Sequence, residues 1–567
     1  MGNLRIGNLG FAGPEVNVLD LDVILLLPLQ IEAAGDLHGA RSNPKNEPSA
    51  WLTLFAKTIE GLCKGNGWKY LADPFGERFG FPGLYSSDAK RFAEFAYFHP
   101  FIQRVLYERD PSKGAMAVLA RRDLRQLAVT LNDSTELIAD VRRAQMFLFT
   151  TDLAVVAVQL HVPADRLSKA RTTQSALANA FSFLDQVRRV YTPYWLENNP
   201  GQTPLSAQWR DEESNQIGRL GDYRCQDQLA RSIGDRRPPI IAHWESLITP
   251  WLDAPDPKDP AAPIAFRQLG DERCHTMAYL SLDRPHDLAE SDHYRLAFLD
   301  AAGEGWAYNP DFLRAQAGDT FYDRFWHSPA GWMNTRYMST GYSFVLLRDG
   351  YEGANYLHDH FQNHYFFLNL LALMQKCSIL IAWERLSKIL RTYASADQSE
   401  GKRLEFHNEQ KWLSEDLADY IALFEFSEVS NQLQALELFA MIRKNLHCAT
   451  LLKELLEQVG FARGVEQRNY EEQMQERAQR LATQQTKLSN IAIRWLPVSL
   501  TLAFLGMSIG MDDFNYWLHH PGSGLLDPVR VAVVVLVPIL IWVGFWTLFK
   551  IFSVGEDSGK RKSTEAL

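Results

Sequence analysis

IAIRWLPVSLTLAFLGMSIGM, residues 491–511, and VAVVVLVPILIWVGFWTLFKIFSV, residues 531–554, decide how this chain is read. Each is long enough to cross a hydrocarbon core of about 30 Å, which takes about 20 apolar residues at 1.5 Å rise. No comparable run precedes them. The expectation is an α/β cytoplasmic portion, then a long helical stalk, then two C-terminal transmembrane helices.

Working outward, Arg477, Arg480, Lys487 and Arg494 precede or open the first run, and Lys550, Lys560, Arg561 and Lys562 close or follow the second. The loop between carries Asp512, Asp513 and Asp527 against Arg530. Cytoplasmic flanks are rich in Lys and Arg, so both termini are expected on the cytoplasmic side of an inner membrane. The N-terminus MGNLRIGNLG has no basic region followed by an apolar one and is not read as a signal peptide.

The helix that enters the first run is expected to begin well before it. Met474, Ala478, Leu481, Gln485, Leu488, Ala492 and Trp495 recur at alternating spacings of four and three. That is the a/d rhythm of a helix packed on a neighbour, either a second copy or another helix of the same chain. From residue 465 to 511 such a helix would be about 70 Å long. Within the run, Arg494, Pro497, Thr501, Ser508 and Asp512 share one face. A polar strip on an apolar span makes sense facing a bundle interior or a wet pore. The alternative is that Thr501 and Ser508 bond their own helix backbone and Arg494 snorkels to headgroups. The second run has no charge before Lys550 and reads as lipid-facing.

The rest of the chain divides by proline use. None occurs between Pro329 and Pro497, whereas TPWLDAPDPKDPAAP at 249–263 reads as a linker or extended loop. The divisions are therefore residues 1–248 (α/β), 249–263 (linker), 264–354 (second α/β segment), 355–490 (helical region and stalk), 491–554 (hairpin) and 555–567 (tail). Strands are expected at 19–32 (LDLDVILLLPLQIE), in a hairpin over 146–162 turning at Thr150–Asp152, and at 276–282 and 342–348. Residues 167–191 read as helix. The stretch 363–390 has the length of a span, but Asn363, His364, Asn369, Gln375 and Lys376 mark it as a buried core helix. Residues 413–459 continue as helix, with a possible break or kink at Gly460 and Gly464.

Composition narrows the function. A net charge of −10 argues against a nucleic-acid partner. Five cysteines with no CxxC fit reduced thiols. His358, His360 and His364 lie in HDHFQNH, and His360 with His364 has a spacing that can chelate a metal; capping or surface histidines are the competing reading. Gly506–Gly510 matches G-x-S-x-G, but inside an apolar run and not at a strand-to-helix turn. The aromatic stretch 325–344 with Arg336 could line a pocket or pack a core. No enzyme motif survives, so an enzyme is not expected.

This arrangement resembles the CorA family of divalent-cation transporters. In that family a cytoplasmic α/β domain feeds a long stalk helix into the first of two C-terminal spans, and a Gly-Met-Asn signature ends that span. Here Gly510 and Met511 match, Asp512 stands for the asparagine, Ile509 stands for the usual tyrosine, and one residue is inserted before Phe514. The cytoplasmic portion is longer than is usual in the family, and Arg494 departs from its pattern. The resemblance implies a homopentamer in a lipid bilayer, with no covalent cofactor and a divalent cation, Mg2+ or a transition metal, as transported or regulatory ion. Gly510, Met511 and Asp512 would form the pore entrance, and Arg494, Thr501 and Ser508 would line the pore. An aspartate ring there would hold a cation more tightly than an amide ring. Some CorA-like proteins act as membrane effectors that answer nucleotide signals, so a ligand-gated effector is the alternative.

Overall fold

A computed structural model describes residues 16–33, 63, 67–71, 95–108, 115–169, 175–191, 203–224, 240–248, 264–303, 305–327, 334–350, 356–395 and 400–508, with 536, 539–540, 542–544 and 546–547. The 249–263 loop and the entrance residues Gly510, Met511 and Asp512 lie outside them. The chain divides into two units, Met1–Gly460 and Phe461–Leu567.

The first unit is built on strand β1 (Val18–Ala33), whose apolar residues from Leu21 to Leu29 are buried on both faces. A strand with that pattern needs cover on both sides. The others are β2 (Trp68–Tyr70), β3 (Met116–Arg121), β4 (Gln126–Thr130), β5 (Glu136–Phe149), β6 (Leu153–Pro163), β7 (Ser206–Arg210), β8 (Gln216–Asp222), β9 (Ile264–Gln268), β10 (His275–Leu282), β11 (Phe321–Phe325), β12 (Thr335–Ser339) and β13 (Ser343–Asp349). Among the described residues they form one sheet of 13 strands: ten follow the order β11-β12-β13-β10-β1-β6-β5-β4-β7-β8, while β9 pairs with β1, β3 with β5 and β2 with β3. Among the described residues only β10 and β13 run parallel; the other pairs are antiparallel. The α/β reading is therefore met at the level of a mixed sheet followed by helices.

Three long strands form the centre, and their outer edges are each shared by two short ones. β1 gives one edge to β10 near its start and to β9 near its end. β5 pairs with β4 through its first half and with β3 through its second. Strands from before and after residues 249–263 thus lie in the same sheet, so the two sequence blocks are not separate lobes.

One face of the sheet carries Leu21, Val23, Leu25, Met146, Leu148, Val156 and Val158 into a core with helix α1 (Ala176–Val187), whose Phe181, Leu184 and Val187 are buried. Ser175 caps this helix by accepting from the Ala178 amide. The opposite face meets α2 (Tyr356–His360), a π-helical turn at Phe361–Tyr365, and α3 (Phe366–Ser395). Phe147 of β5 packs on Phe366, and Arg143 lies over the same ring while donating to the Gln362 carbonyl.

Within Tyr356–Arg391, 83 % of the most apolar window is buried, the environment of a core helix. Its polar residues are used inside the unit. Asn369 bonds His275 and the Tyr365 carbonyl, and Gln375 donates to the Phe424 and Phe426 carbonyls.

The next segment differs from the expected continuous helix over 413–459. It forms α4 (Glu400–Phe424), α5 (Leu433–Asn445) and the first turns of α6 (Cys448–Ser508). Ser427, Ser430 and Asn431 fall in the first break, and such side chains compete for backbone hydrogen bonds. His447, at φ +58°, makes the second. Conversely, α6 runs through Gly460 and Gly464 without interruption. A helical glycine costs about 1 kcal/mol relative to alanine, which lowers stability without breaking the ladder. From Phe461 onward α6 belongs to the second unit, where it continues through Pro497 to Ser508.

Candidate functional site

The sequence repeat LDLD places Asp20 and Asp22 on one face of β1, since alternate residues share a face. It is the face covered by α2 and α3. His161 sits opposite Asp22 in the β1–β6 register, and Tyr279 sits opposite it in the β1–β10 register. Strand pairing alone therefore brings a carboxylate pair, an imidazole and a phenol together. From above, α2 adds His358, whose Nε2 contacts Asp22 Oδ2 and whose ring packs on Tyr279 with centroids 4.9 Å apart.

His161 Nδ1 lies 3.3 Å from Asp20 Oδ1 and 3.5 Å from Asp22 Oδ1. The side chain of Asp22 is fully buried, whereas those of Asp20 and His358 are about a third exposed. One donor atom each from Asp20, Asp22 and His358 lies within 4.8 Å of the others. Burial alone would raise the Asp22 pKa, but the imidazoles on either side outweigh it and hold the carboxyl at about 2. Asp20 moves the other way, raised by burial and by the neighbouring charge of Asp22. Burial would lower His358, yet its bond to Asp22 and the charges of both aspartates raise it. The arrangement can store protons in a carboxylate–imidazole network or hold a cation between mixed oxygen and nitrogen donors.

The other sequence candidates distribute differently. His360 and His364 do come close, with ring centroids 4.8 Å apart, but among the described residues no carboxylate joins them in a cluster of ligand spacing. His364 stacks on Tyr97 at 4.1 Å, and burial pushes its pKa down to about 3. Its ring is largely buried, which favours the neutral form. Of the HDHFQNH segment, His358 is the residue that meets the carboxylates. Arg336 is engaged by Asp323 at 2.8 and 2.7 Å and lies over the rings of Phe321 and Trp326. That is packing, not an open pocket.

In the second unit, Thr501 donates to the Pro497 carbonyl at 2.6 Å. Its hydroxyl thus uses an oxygen of its own helix. Ser508 ends α6, and Arg494 lies within it. Ile491, Ile493, Trp495, Leu496 and Leu500 are each about half exposed or more, and so are Leu536, Ile539, Leu540, Trp542 and Trp546 of the second apolar run.

One cavity bears on ligand binding. About 720 Å³ opens where α5 meets α6, lined in part by Ser339, Thr340, Lys444, Asn445, His447 and Thr450. The Ser339 hydroxyl is buried with no hydrogen-bond partner among the described residues.

Sequence reasoning missed Asp20, Asp22 and His161. The signal available was a pair of aspartates alternating on one face of an otherwise apolar strand. No protein-family model matches the chain, and searches of curated proteins and of solved structures find no match.

Proposed function

We propose that this chain is a membrane-attached, homo-oligomeric CorA-like channel or transporter for divalent cations. The first apolar run would line the pore and the second would face lipid, in an inner membrane with both termini cytoplasmic. The reading is carried by α6, one helix from Cys448 to Ser508 that ends in an apolar run with its large side chains exposed. Fully burying such a side chain is worth about 1.5–3 kcal/mol, so leaving these five half-exposed in water forgoes several kcal/mol. Lipid or neighbouring copies would recover that energy. Gly510, Met511 and Asp512 would form the entrance, with Thr501 and Ser508 along the path and Arg494 toward its inner end.

Flux of Mg2+, Zn2+, Ni2+ and Co2+ into liposomes holding the purified protein tests this. Saturable flux that falls with Asp512→Ala, in a variant that still assembles, is the expected result. Flux of the same size in that variant removes Asp512 from the entrance.

The second reading is a ligand-gated effector, and the cavity at the start of α6 favours it. Its signature would be expression that is harmless alone and toxic only with a cytoplasmic trigger. Lys444→Ala with Thr450→Ala should then abolish toxicity without changing expression.

A further inference from the structure

The α2-covered face of the sheet is largely apolar along β1, with Ile24 and Leu26 buried there. Its polar exception is the meeting point of Asp20, Asp22, His161 and His358. Three observations bear on what that point holds.

The first is spacing. In a tetrahedral site with metal–oxygen and metal–nitrogen bonds of about 2.0–2.2 Å, neighbouring donors lie about 3.3–3.5 Å apart. His161 Nδ1 stands 3.3 and 3.5 Å from carboxylate oxygens of Asp20 and Asp22. These distances set His161 beside Asp20, Asp22 and His358, whose own donor atoms lie within 4.8 Å of one another.

The second is unsatisfied polarity. Asp22 Oδ1 and His161 Nδ1 are buried and face each other at 3.5 Å without hydrogen-bond geometry, and neither has another hydrogen-bond partner among the described residues. Both amide atoms of Gln159, two residues from His161 on the same face of β6, are also buried without a partner among the described residues. Buried polar atoms are nearly always satisfied by protein, water or an ion, so a knot of orphans around one carboxylate points to a missing partner. Asp22, with no exposure at all, is the most deeply buried of the four.

The third is charge and donor type. Two carboxylates and two neutral imidazoles carry −2, which one divalent cation neutralises. Hard Mg2+ and Ca2+ take oxygen ligands and keep water. Two imidazoles with two carboxylates instead suit zinc and its first-row neighbours.

We propose that Asp20, Asp22, His161 and His358 hold one divalent transition-metal ion of the zinc type within a single chain. The ion fastens α2, and through it the helical layer, to β1 and β6. The proposal does not rest on the channel reading: it concerns the first unit alone, and flux plays no part in its test.

The test uses the full-length protein purified in detergent and stripped with a chelator, with Zn2+ or Co2+ added alone. Retention of one ion per chain is expected, with Co2+ giving visible ligand-field absorption. Changes to outer-shell partners alone cost roughly 10–100-fold in affinity, so Asp22→Asn and His161→Gln should each weaken binding more than about 100-fold. His358→Gln, at a partly exposed position, is the variant to use if a buried substitution prevents folding, and it should weaken binding as well. The double variant His360→Gln, His364→Gln should bind as the unaltered protein does, and a large excess of Mg2+ should leave the ion in place. Failure to retain an ion, binding unchanged in the cluster variants, binding lost only in the His360/His364 variant, or displacement by Mg2+ would each overturn the assignment.

Discussion

Replacing His243 by leucine should change stability with a sign that depends on pH. His243 lies in the short helix Ala242–Ile248, with Trp209, Tyr223 and Trp244 around its ring at centroid distances of 5.9, 6.0 and 5.7 Å. It is 1 % exposed, and its Nδ1 has no partner among the described residues. Burial lowers its pKa from 6.5 to about 3. Below pH 6.5 the unfolded chain takes a proton there and the folded chain does not. Stability is therefore whole above pH 6.5 and falls by about 1.4 kcal/mol for each pH unit below it, down to pH 3. At pH 5 the loss is about 2 kcal/mol. Leucine cannot take the proton, and its poorer fit should cost about 1 kcal/mol at every pH. The variant should be the less stable protein at pH 7.5, equal near pH 6, and the more stable by about 1 kcal/mol at pH 5. Burial also raises Asp20, Asp292 and Asp300, which act in the opposite direction, but equally in both proteins. Chemical unfolding followed by tryptophan fluorescence at the three pH values measures the difference. A difference that stays constant across them would refute the claim that this imidazole is held neutral.

Other outcomes follow from close packing and from paired charges. A Cβ on Gly221 would collide with His243 Nδ1 and meet Ile241 Cγ2 at 2.8 Å, so Gly221→Ala should lose about 1–3 kcal/mol, read as a lower Tm. An unchanged Tm would mean that β8 is not held against this helix. Gln375→Leu would strip the Phe424 and Phe426 carbonyls of a donor and Arg443 Nε of its acceptor at 2.7 Å. At about 1–3 kcal/mol per orphaned group, a loss of at least 3 kcal/mol is expected, with faster proteolysis between α4 and α5 as the check. The Asp22–His358 pair contributes most between the ordinary carboxyl and imidazole values. It is lost as pH rises through the raised pKa of His358 or falls through about 2. In chelator-treated protein, the Tm gap between the unaltered chain and Asp22→Asn should therefore narrow from pH 6 to pH 9; a gap of constant size would count against the pair.

The parts of the fold legible in the sequence are those where one local signal dominates. Continuous apolarity marks β1, β10 and β13, and Thr150–Asp152 marks the β5–β6 turn, where Asp152 takes φ +59°. Polar residues inside an apolar stretch mark α3 as a core helix. The less legible parts depend on partners far away in the chain. β4 and β7 are five residues each and gain their identity from pairing with each other. The α4–α5 break carries no proline or glycine, only serines and an asparagine, which a helical rhythm on either side outweighs. The carboxylate–histidine cluster joins Asp22 to His358 across 336 positions, a separation that no spacing rule reaches. Its one local trace, alternating aspartates in a buried strand, has meaning only once the covering helix is known.

The position of β1 in the sheet sets a timetable for synthesis. Its edge toward β6 can close once residue 163 has left the ribosome, but its edge toward β9 and β10 needs residues 264–282. At about 5–20 residues per second, the second edge waits roughly 5–25 s longer than the first. Throughout that interval a long, leucine-rich strand edge has no native neighbour and can pair with any extended chain it meets. The nascent protein must be shielded until the distant strand arrives, and a product truncated before residue 264 would keep that edge open for good.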